Sequence, residues 1–224
     1  MKEPAAPLTD GSDWNRFWSV QKQSSSGQIS WSKHRILQIL APYLEPKKRI
    51  LDAGCGSGFF SEVFCGRGMT VTALDYSDQA LALTRERTRG RALIIQADML
   101  TDSLADRLKT SFDVIFTDGL FEHFTAAQQD TILKNFLSVL APSGTIITFV
   151  PNHWSPWELI RPWFMPGIDE KPFILRQLKD LHIRNGMTVL FDGGVNTLPI
   201  GFSPDRWVGR VFGMLLFVVA QKSK

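Results

Sequence analysis

Short apolar segments alternate with amphipathic segments along most of the chain, at the spacing that β-α-β units require. Apolar runs predict strands at residues 49–53, 70–74, 92–97, 113–117, 145–150, 187–191 and 214–221. Apolar positions three and four residues apart predict helices at 32–43, 59–65, 78–87, 104–108, 126–140 and 172–185. Strands joined in sequence by helices predict an α/β fold with a doubly wound, mostly parallel sheet, which binds ligands at the carboxyl ends of its strands.

The helix at 126–140 is the best specified element in the chain. Thr125 and Gln128 have the spacing of a capping box, in which each residue satisfies a backbone N–H group of the first turn. Pro142 and Gly144 follow the last apolar position and are expected to end the helix.

The N-terminal region is predicted to be a separate helical segment. Trp14, Phe17 and Trp18 lie at positions i, i+3 and i+4, which predicts one apolar stripe on a short helix. The polar run at 21–28 predicts a loop between this helix and the body of the protein. The predicted division is a helical lid segment at 1–30 and one domain at 31–224.

Length and composition indicate an ordinary globular domain. A chain of 224 residues has room for one core, and 44% hydrophobic with 21% charged residues are usual values. The longest apolar run, at 211–220, is about half the ~20-residue length of a membrane span, so it predicts a buried strand and no transmembrane segment. A net charge of +3 is too weak to indicate a nucleic-acid partner.

The cysteine content and the N-terminal sequence favour a cytoplasmic protein. Cys55 and Cys65 are the two cysteines, and reduced thiols fit best because Cys55 lies inside a glycine-rich motif that a crosslink would stiffen. The first ten residues lack the apolar core of a signal peptide.

The strongest chemical signal is the segment ILDAGCGSG at 50–58, a predicted strand followed by three glycines and a predicted helix. Gly54, Gly56 and Gly58 let the backbone turn sharply and let a ligand approach it closely. Phe59 stands where the dinucleotide fingerprint G-x-G-x-x-G needs its last glycine, so a nicotinamide cofactor is disfavoured.

Acidic residues lie at the ends of three successive predicted strands. Asp52 could hold a ligand ammonium group, and Asp75 is placed to accept two hydrogen bonds from a ribose diol. Asp98 could accept the exocyclic amine of an adenine while the thioether of Met99 packs on the ring. Each aspartate alone could be a helix cap or turn residue, but their order along the strands predicts a nucleoside site.

These motifs together resemble the class I S-adenosylmethionine-dependent methyltransferases, in particular the group that acts on small molecules, quinones and lipids. ILDAGCGSG is similar to the first motif of that family, ALDYS at 73–77 to its ribose motif, QADM at 96–99 to its adenine motif, and 112–124 to its fourth strand and following loop. The resemblance implies a Rossmann-like sheet of seven strands with an antiparallel last strand. It implies S-adenosylmethionine as cofactor and S-adenosylhomocysteine as product. The residues expected to contact the cofactor are Asp52, Gly54, Cys55, Gly56, Gly58, Asp75, Tyr76, Asp98, Met99 and Asp118.

Glu122 and His123 follow the fourth predicted strand, where the methyl group is expected to emerge, and they are the candidate catalytic residues. Methyl transfer from a sulfonium is a direct displacement that depends mainly on alignment, and a base helps when the acceptor is a hydroxyl. His123 is the candidate base, and the alternative is a structural histidine that hydrogen-bonds its own loop. The other histidines lack metal-ligand spacing, so no metal site is expected.

The expected acceptor is a small apolar or aromatic molecule, with O-methylation favoured. Asp118, Gly119, Leu120 and Phe121 stand where methyltransferases of nucleobases and glutamine amides usually carry an Asn/Asp-Pro-Pro-aromatic tetrad. An aromatic lid insert is predicted at 151–173, in the position where the family builds its acceptor lid. The residues expected to cover the acceptor are Trp14, Trp18, Asn152, Trp154, Trp157 and Trp163. The alternative is that these rings only pack the lid onto the sheet.

Two other functions remain open at the level of sequence. One is a methyltransferase that acts on a protein or RNA, which would need a basic surface that the net charge of +3 does not indicate. The other is a catalytically silent module that binds the cofactor or a partner. The oligomeric state is not predicted.

Overall fold

The computed structural model describes residues 14–18, 30–164 and 170–223, apart from the side chains of Pro162 and Phe164. Residues 14–18 form the helical segment α1, at the position of the predicted N-terminal helix. The predicted loop at 21–28 and residues 165–169 of the predicted lid lie outside the described residues. None of the described helices is long and apolar enough to cross a membrane.

The described part of the chain alternates strands and helices as the sequence predicts. The strands are β1 (Arg49–Ala53), β2 (Thr70–Asp75), β3 (Leu93–Gln96), β4 (Phe112–Asp118), β5 (Leu140–Pro151), β6 (Met187–Val195) and β7 (Leu215–Lys222). The helices are α2 (Trp31–Leu40), α3 (Phe59–Gly66), α4 (Asp78–Thr88), α5 (Leu104–Leu108), α6 (Ala126–Val139), α7 (Arg161–Phe164), α8 (Leu175–Arg184) and α9 (Asp205–Phe212). Short 3₁₀ helices occupy Ala41–Tyr43, Phe121–His123 and Pro156–Leu159.

The seven described strands form one sheet in the order β3-β2-β1-β4-β5-β7-β6. Strands β1 to β5 run parallel to one another, and β7 runs antiparallel to both β5 and β6. The predicted Rossmann-like sheet with an antiparallel last strand is therefore confirmed. The strand order reverses between β1 and β4, and at such a switch point adjacent loops diverge and open a crevice.

Both faces of the sheet are covered by apolar side chains, which alternate from face to face along each strand. Leu51 of β1 packs in the cluster that includes residues of α5, α6 and α8, whereas its neighbour Ile50 packs with residues of α2, α3 and α4. Phe136 of α6 and Phe64 of α3 are fully buried on opposite sides. Packing on both faces fixes the strands, and so fixes the edge at which their carboxyl ends meet.

The structure corrects the predicted boundary between the sixth helix and the fifth strand. The capping box at Thr125 and Gln128 is present, with the Thr125 N–H group donating to Gln128 Oε1 at 2.9 Å. The helix ends at Val139, however, and β5 begins at Leu140, so Pro142 and Gly144 lie inside the strand and do not end the helix. Gly144 is needed there because a Cβ would lie 2.9 Å from the backbone oxygen of Phe112.

The structure also corrects the interpretation of the apolar run at 211–220. Its first two residues end α9, a helix that the sequence did not predict, and the strand begins only at Leu215. Asn152 breaks the run, because its side-chain Nδ2 donates to the backbone oxygens of Val211 and Gly213, both at 2.8 Å. A long-range partner thus decides where the helix stops.

Candidate functional site

A cavity of about 890 Å³ opens at the carboxyl ends of β1, β2, β3 and β4, next to the switch point of the sheet. Residues from four strand ends and from α1 and α2 line it. The predicted site residues among them are Trp14, Trp18, Asp52, Gly54, Cys55, Gly56, Asp75, Tyr76, Asp98, Met99, Asp118 and His123. The sequence therefore predicted nearly half of the residues that line this cavity, because the ends of parallel strands converge at one edge.

The glycine-rich turn forms the floor of the cavity. The Gly54 and Cys55 N–H groups both donate to Leu74 O, at 2.8 and 3.1 Å, which ties the turn to the end of β2. Gly56 has φ +51°, and a Cβ there would lie 2.6 Å from Cζ2 of Trp18. The tryptophan of α1 thus covers the turn at a distance that only glycine allows.

Gly58 has a structural role in this turn and is not among the described residues that line the cavity. It has φ +74° at the N-cap of α3, and a Cβ there would lie 2.6 Å from Thr84 Oγ1 of α4. The Thr84 hydroxyl in turn donates to Gly56 O at 3.0 Å. Gly58 therefore allows two helices to pack closely beneath the site.

Asp75 connects the second strand to the turn. Its Oδ2 accepts a hydrogen bond from the Gly56 N–H group at 3.0 Å, and its Oδ1 accepts one from the Ser77 N–H group at 2.9 Å. Burial raises the pKa of Asp75, and the two backbone donors oppose that rise. Tyr76, the next residue, is about half exposed at the rim of the same cavity.

Asp98 and Met99 follow β3 and lie on the neighbouring wall. Asp98 Oδ1 accepts a hydrogen bond from the Leu100 N–H group at 2.8 Å, and the Asp98 N–H group donates to Asp102 Oδ2 at 3.0 Å. Met99 is buried, and its backbone oxygen accepts a hydrogen bond from Asn135 Nδ2 at 3.1 Å. Both residues are therefore held by their own loop and by α6.

The buried carboxyl of Asp52, the partly buried carboxyl of Asp118 and one lysine are titratable groups at the inner end of the cavity. Asp52 accepts a hydrogen bond from the Ser61 hydroxyl at 2.5 Å, and burial raises its pKa to about 7. Burial likewise raises the pKa of Asp118 to about 6, and the nearby positive charge of Lys33 opposes that rise. Lys33 itself has a lowered pKa, first because of burial and then because of repulsion by Arg87.

Lys33 is the clearest site residue that sequence reasoning missed. It lies on α2, with its Nζ 4.2 Å from the centre of the Phe59 ring, and both residues line the cavity. On the sequence it is one polar position of an amphipathic helix, and no motif marks it. Only the packing of α2 against the sheet brings it to the strand ends.

The two candidate catalytic residues occupy different environments. His123 lines the cavity, and its ring centre lies 4.8 Å from that of Trp14 in an edge-to-face contact. Glu122 is buried and is not among the described residues that line the cavity, although its Oε1 lies 3.9 Å from His123 Nε2. Burial, followed by the nearby carboxyl of Glu170, raises the pKa of Glu122 well above its usual range.

The four later residues of the predicted lid are not among the described residues that line the cavity. Asn152 is fully buried and holds the end of α9 through the two hydrogen bonds given above. Trp154 and Trp163 are exposed, and Trp157 lies in the 3₁₀ helix after β5. The aromatic walls come instead from Trp14, Phe17 and Trp18, and from other rings near the strand ends: Phe59, Phe60, Phe116 and Phe124.

Comparison with known proteins agrees with this geometry. Residues 50–144, from β1 into β5, match a family model described as a methyltransferase domain. Together with the seven-stranded sheet and the glycine turn, this match, which covers less than half of the chain, supports its resemblance to the class I S-adenosylmethionine-dependent methyltransferases. The predicted fold is thereby confirmed, and the match supports the predicted family and cofactor.

Among curated proteins, the chain is similar to the ubiquinone biosynthesis O-methyltransferase of Idiomarina loihiensis, with 35% identity over 101 residues. That match covers 44% of this chain and 40% of the relative. A protein of the same name from Bartonella tribocorum is 26% identical over 168 residues, which cover 70% of this chain and 67% of that protein. The matches to the first three relatives thus span only 40 to 42% of their lengths.

Among solved structures, the fold is similar to that of a magnesium protoporphyrin IX methyltransferase from Synechocystis with bound S-adenosylhomocysteine. The TM-score is 0.69 at 14% identity, and the match covers 95% of this chain and 98% of the other. A methyltransferase from Anabaena variabilis gives a TM-score of 0.70 at 17% identity, covering 99% and 98% of the two chains. Similarity at this level of identity shows a shared fold.

Proposed function

We propose that the protein transfers the methyl group of S-adenosylmethionine to a hydroxyl group of a small apolar or aromatic molecule. The observation that carries the proposal is the composition of one cavity. It contains the nucleoside-binding candidates Asp75, Asp98 and Met99 together with His123 and the ring of Trp14. A cofactor site and an aromatic acceptor site would therefore share one enclosed space.

The residues at the inner end of the cavity fit this cofactor. The Asp75 carboxylate would accept the ribose hydroxyls, and the glycine turn, at Gly54 and Gly56, leaves room for a ligand beside the backbone. Asp52 and Asp118 would face a cationic ligand, and Lys33, which lines the same cavity, would hold a carboxylate. Bound S-adenosylmethionine supplies a methyl group on a sulfonium, whose C–S bond breaks as the acceptor oxygen forms its new bond to carbon and whose electron pair stays on sulfur.

The chain would contribute mainly alignment and the exclusion of water. Trp14, Phe17 and Phe124 would enclose the acceptor ring, and a hydroxyl held at near-attack geometry can save about 7 to 11 kcal/mol of the barrier. His123 is the polar side chain placed to take the hydroxyl proton, which is worth about 10² to 10⁴ in rate when a base is needed.

The names of the curated relatives support oxygen as the acceptor atom. They are ubiquinone biosynthesis O-methyltransferases, and the acceptor proposed here is of the same broad kind, a hydroxyl on an apolar ring. We further propose that 1–30 and 151–173 act as the segments that cover the acceptor, and that the protein is cytoplasmic. The contact of Trp18 with the glycine turn supports the first of these segments as a cover.

Isothermal titration with S-adenosylhomocysteine, with NAD as the control, tests the cofactor half of the proposal. Micromolar binding of the first and none of the second is the expected result. Turnover with labelled S-adenosylmethionine on a panel of phenols, matched with their methyl ethers, tests the acceptor half. Transfer to the phenols alone supports O-methylation, whereas transfer only to whole-cell RNA or protein, or to no acceptor, contradicts it.

A further inference from the structure

Three potential metal ligands meet beside the proposed acceptor site. Glu122 and His123 are neighbours in the 3₁₀ helix after β4, and Glu170 comes from the end of the predicted lid. One ligand atom from each of the three side chains lies within 4.8 Å of the other two. Within this group, His123 Nε2 lies 3.9 Å from Glu122 Oε1.

Backbone hydrogen bonds hold Glu170 in this position. The N–H group of the next residue, Lys171, donates to Glu122 O at 2.9 Å. Two residues further on, the Phe173 N–H group donates to Pro151 O at 2.9 Å, and the His153 N–H group donates to Phe173 O at the same distance. The two glutamates are thus brought together by main-chain pairing and not by their own side chains.

The cluster holds buried carboxyl oxygens that the described residues around it leave without a hydrogen bond. Glu122 Oε2, Glu158 Oε1 and Glu170 Oε2 are buried and have no hydrogen-bond partner among the described residues. Arg161 lies 3.1 Å from Glu158 Oε2 and 3.5 Å from Glu170 Oε2, but no salt bridge to Glu122 is found among the described residues except the one with His123. A fully buried carboxylate oxygen without a partner is costly, and a bound cation would satisfy it.

We infer that Glu122, His123 and Glu170 bind a divalent cation. Two carboxylates and one imidazole form a mixed oxygen and nitrogen set, which suits Mn²⁺, Fe²⁺ or Zn²⁺ better than Ca²⁺. Three protein ligands leave coordination positions open, and His123 lies at the cavity wall, so an open position can face the acceptor.

The role of this cation rests on the proposed function, whereas the site itself does not. An acceptor hydroxyl bound to the cation would lose its proton to water at a lower pH, since a metal ion stabilises the resulting oxyanion. His123 would then be a ligand and would not take the proton itself. Because Glu170 belongs to the predicted lid, cation binding would also tie this segment to the loop after β4.

Titration of the chelator-treated full-length protein with Mn²⁺, followed by the EPR signal of the free ion, measures the site without any methyl transfer. Zn²⁺ in a competition titration is the second probe. Binding of one ion per chain is expected, and Glu170→Gln should weaken this binding at least tenfold. Loss of a residue that only supports a metal ligand already costs about 10- to 100-fold in affinity, so loss of a ligand itself should cost no less. The matched control is Glu158→Gln, which removes a carboxylate of the same cluster that is outside the ligand set and should weaken binding less than threefold.

The results separate this inference from the proposed function. Absence of saturable binding, or equal losses in Glu170→Gln and Glu158→Gln, would overturn the metal site, because diffuse charge would then explain the affinity. Binding of S-adenosylhomocysteine to each variant, within threefold of the wild type, shows that the variants are folded. Methyl transfer that persists unchanged with a chelator contradicts the catalytic role of the ion and leaves the proposed function standing. Saturable binding of one ion without methyl transfer to any acceptor supports the metal site and contradicts the proposed function.

Discussion

Replacement of Asp75 by asparagine should weaken cofactor binding strongly, because the carboxylate serves two sets of donors. It accepts hydrogen bonds from the Gly56 and Ser77 N–H groups at 3.0 and 2.9 Å, and in our proposal it also accepts the ribose hydroxyls. Asparagine keeps the shape of the side chain but offers one acceptor oxygen in place of two. Loss of one or two charge-assisted hydrogen bonds, at about 1.5 kcal/mol each, corresponds to a rise in Kd of about 10- to 150-fold.

Isothermal titration of Asp75→Asn with S-adenosylhomocysteine at 25 °C measures this change directly. The matched control is Asp113→Asn, an aspartate at the opposite edge of the sheet whose Oδ2 accepts a hydrogen bond from the Arg49 N–H group at 2.8 Å. Its affinity should remain within twofold of the wild type. An Asp75→Asn affinity within threefold of the wild type would mean that the ribose is held elsewhere. Equal losses in both variants would indicate a general effect on folding.

Three further changes test the site and the fold. His123→Ala should slow turnover by about 10²-fold or more while leaving the Kd for S-adenosylhomocysteine within threefold, and wild-type rates would reduce His123 to a structural residue. Gly58→Ala should lower the free energy of unfolding in urea by more than Gly90→Ala does. The two glycines have similar φ angles, +74° and +70°, but only at Gly58 would a Cβ meet Thr84 Oγ1, at 2.6 Å. Equal losses in the two variants would show that the packed helices relax around the added methyl group. Burial lowers the pKa of His182 to about 4, below its value near 6.5 when unfolded, so its contribution to stability is present above pH 6.5 and is lost as the pH falls toward 4. The stability of the wild type relative to His182→Gln should therefore fall by about 2 kcal/mol between pH 7 and 4.5 in urea titrations, and a pH-independent difference would contradict the buried neutral imidazole.

Local patterns predicted the elements of the sheet because strands and helices place apolar residues at different periods. Strand β1 and helix α5 agree with their predicted bounds, and most other elements agree within a few residues. The errors lie where a distant partner overrides the local signal. Helix α9 was missed because the apolar run at 211–220 is divided by the side chain of Asn152, about sixty positions earlier in the chain.

The sequence by itself determined the fold and the set of strand-end residues that meet at the cavity. Parallel strands end at one edge of a sheet, so residues that follow successive strands, such as Asp75 and Asp98, are close in space whenever the strands form. The glycine turn is likewise local, since positive φ angles at Gly54 and Gly56 depend on residue type.

Only the tertiary structure decided which residues from other elements cover the cavity. It placed Lys33 of α2 and Trp18 of α1 over the strand ends, and it directed Trp163 of the predicted lid toward solvent. It also paired the main chain of Lys171 with that of Glu122, which brings Glu170 beside His123 across nearly fifty residues. Such contacts depend on how separate elements pack against each other, and the pattern of apolar residues within one segment does not predict that packing.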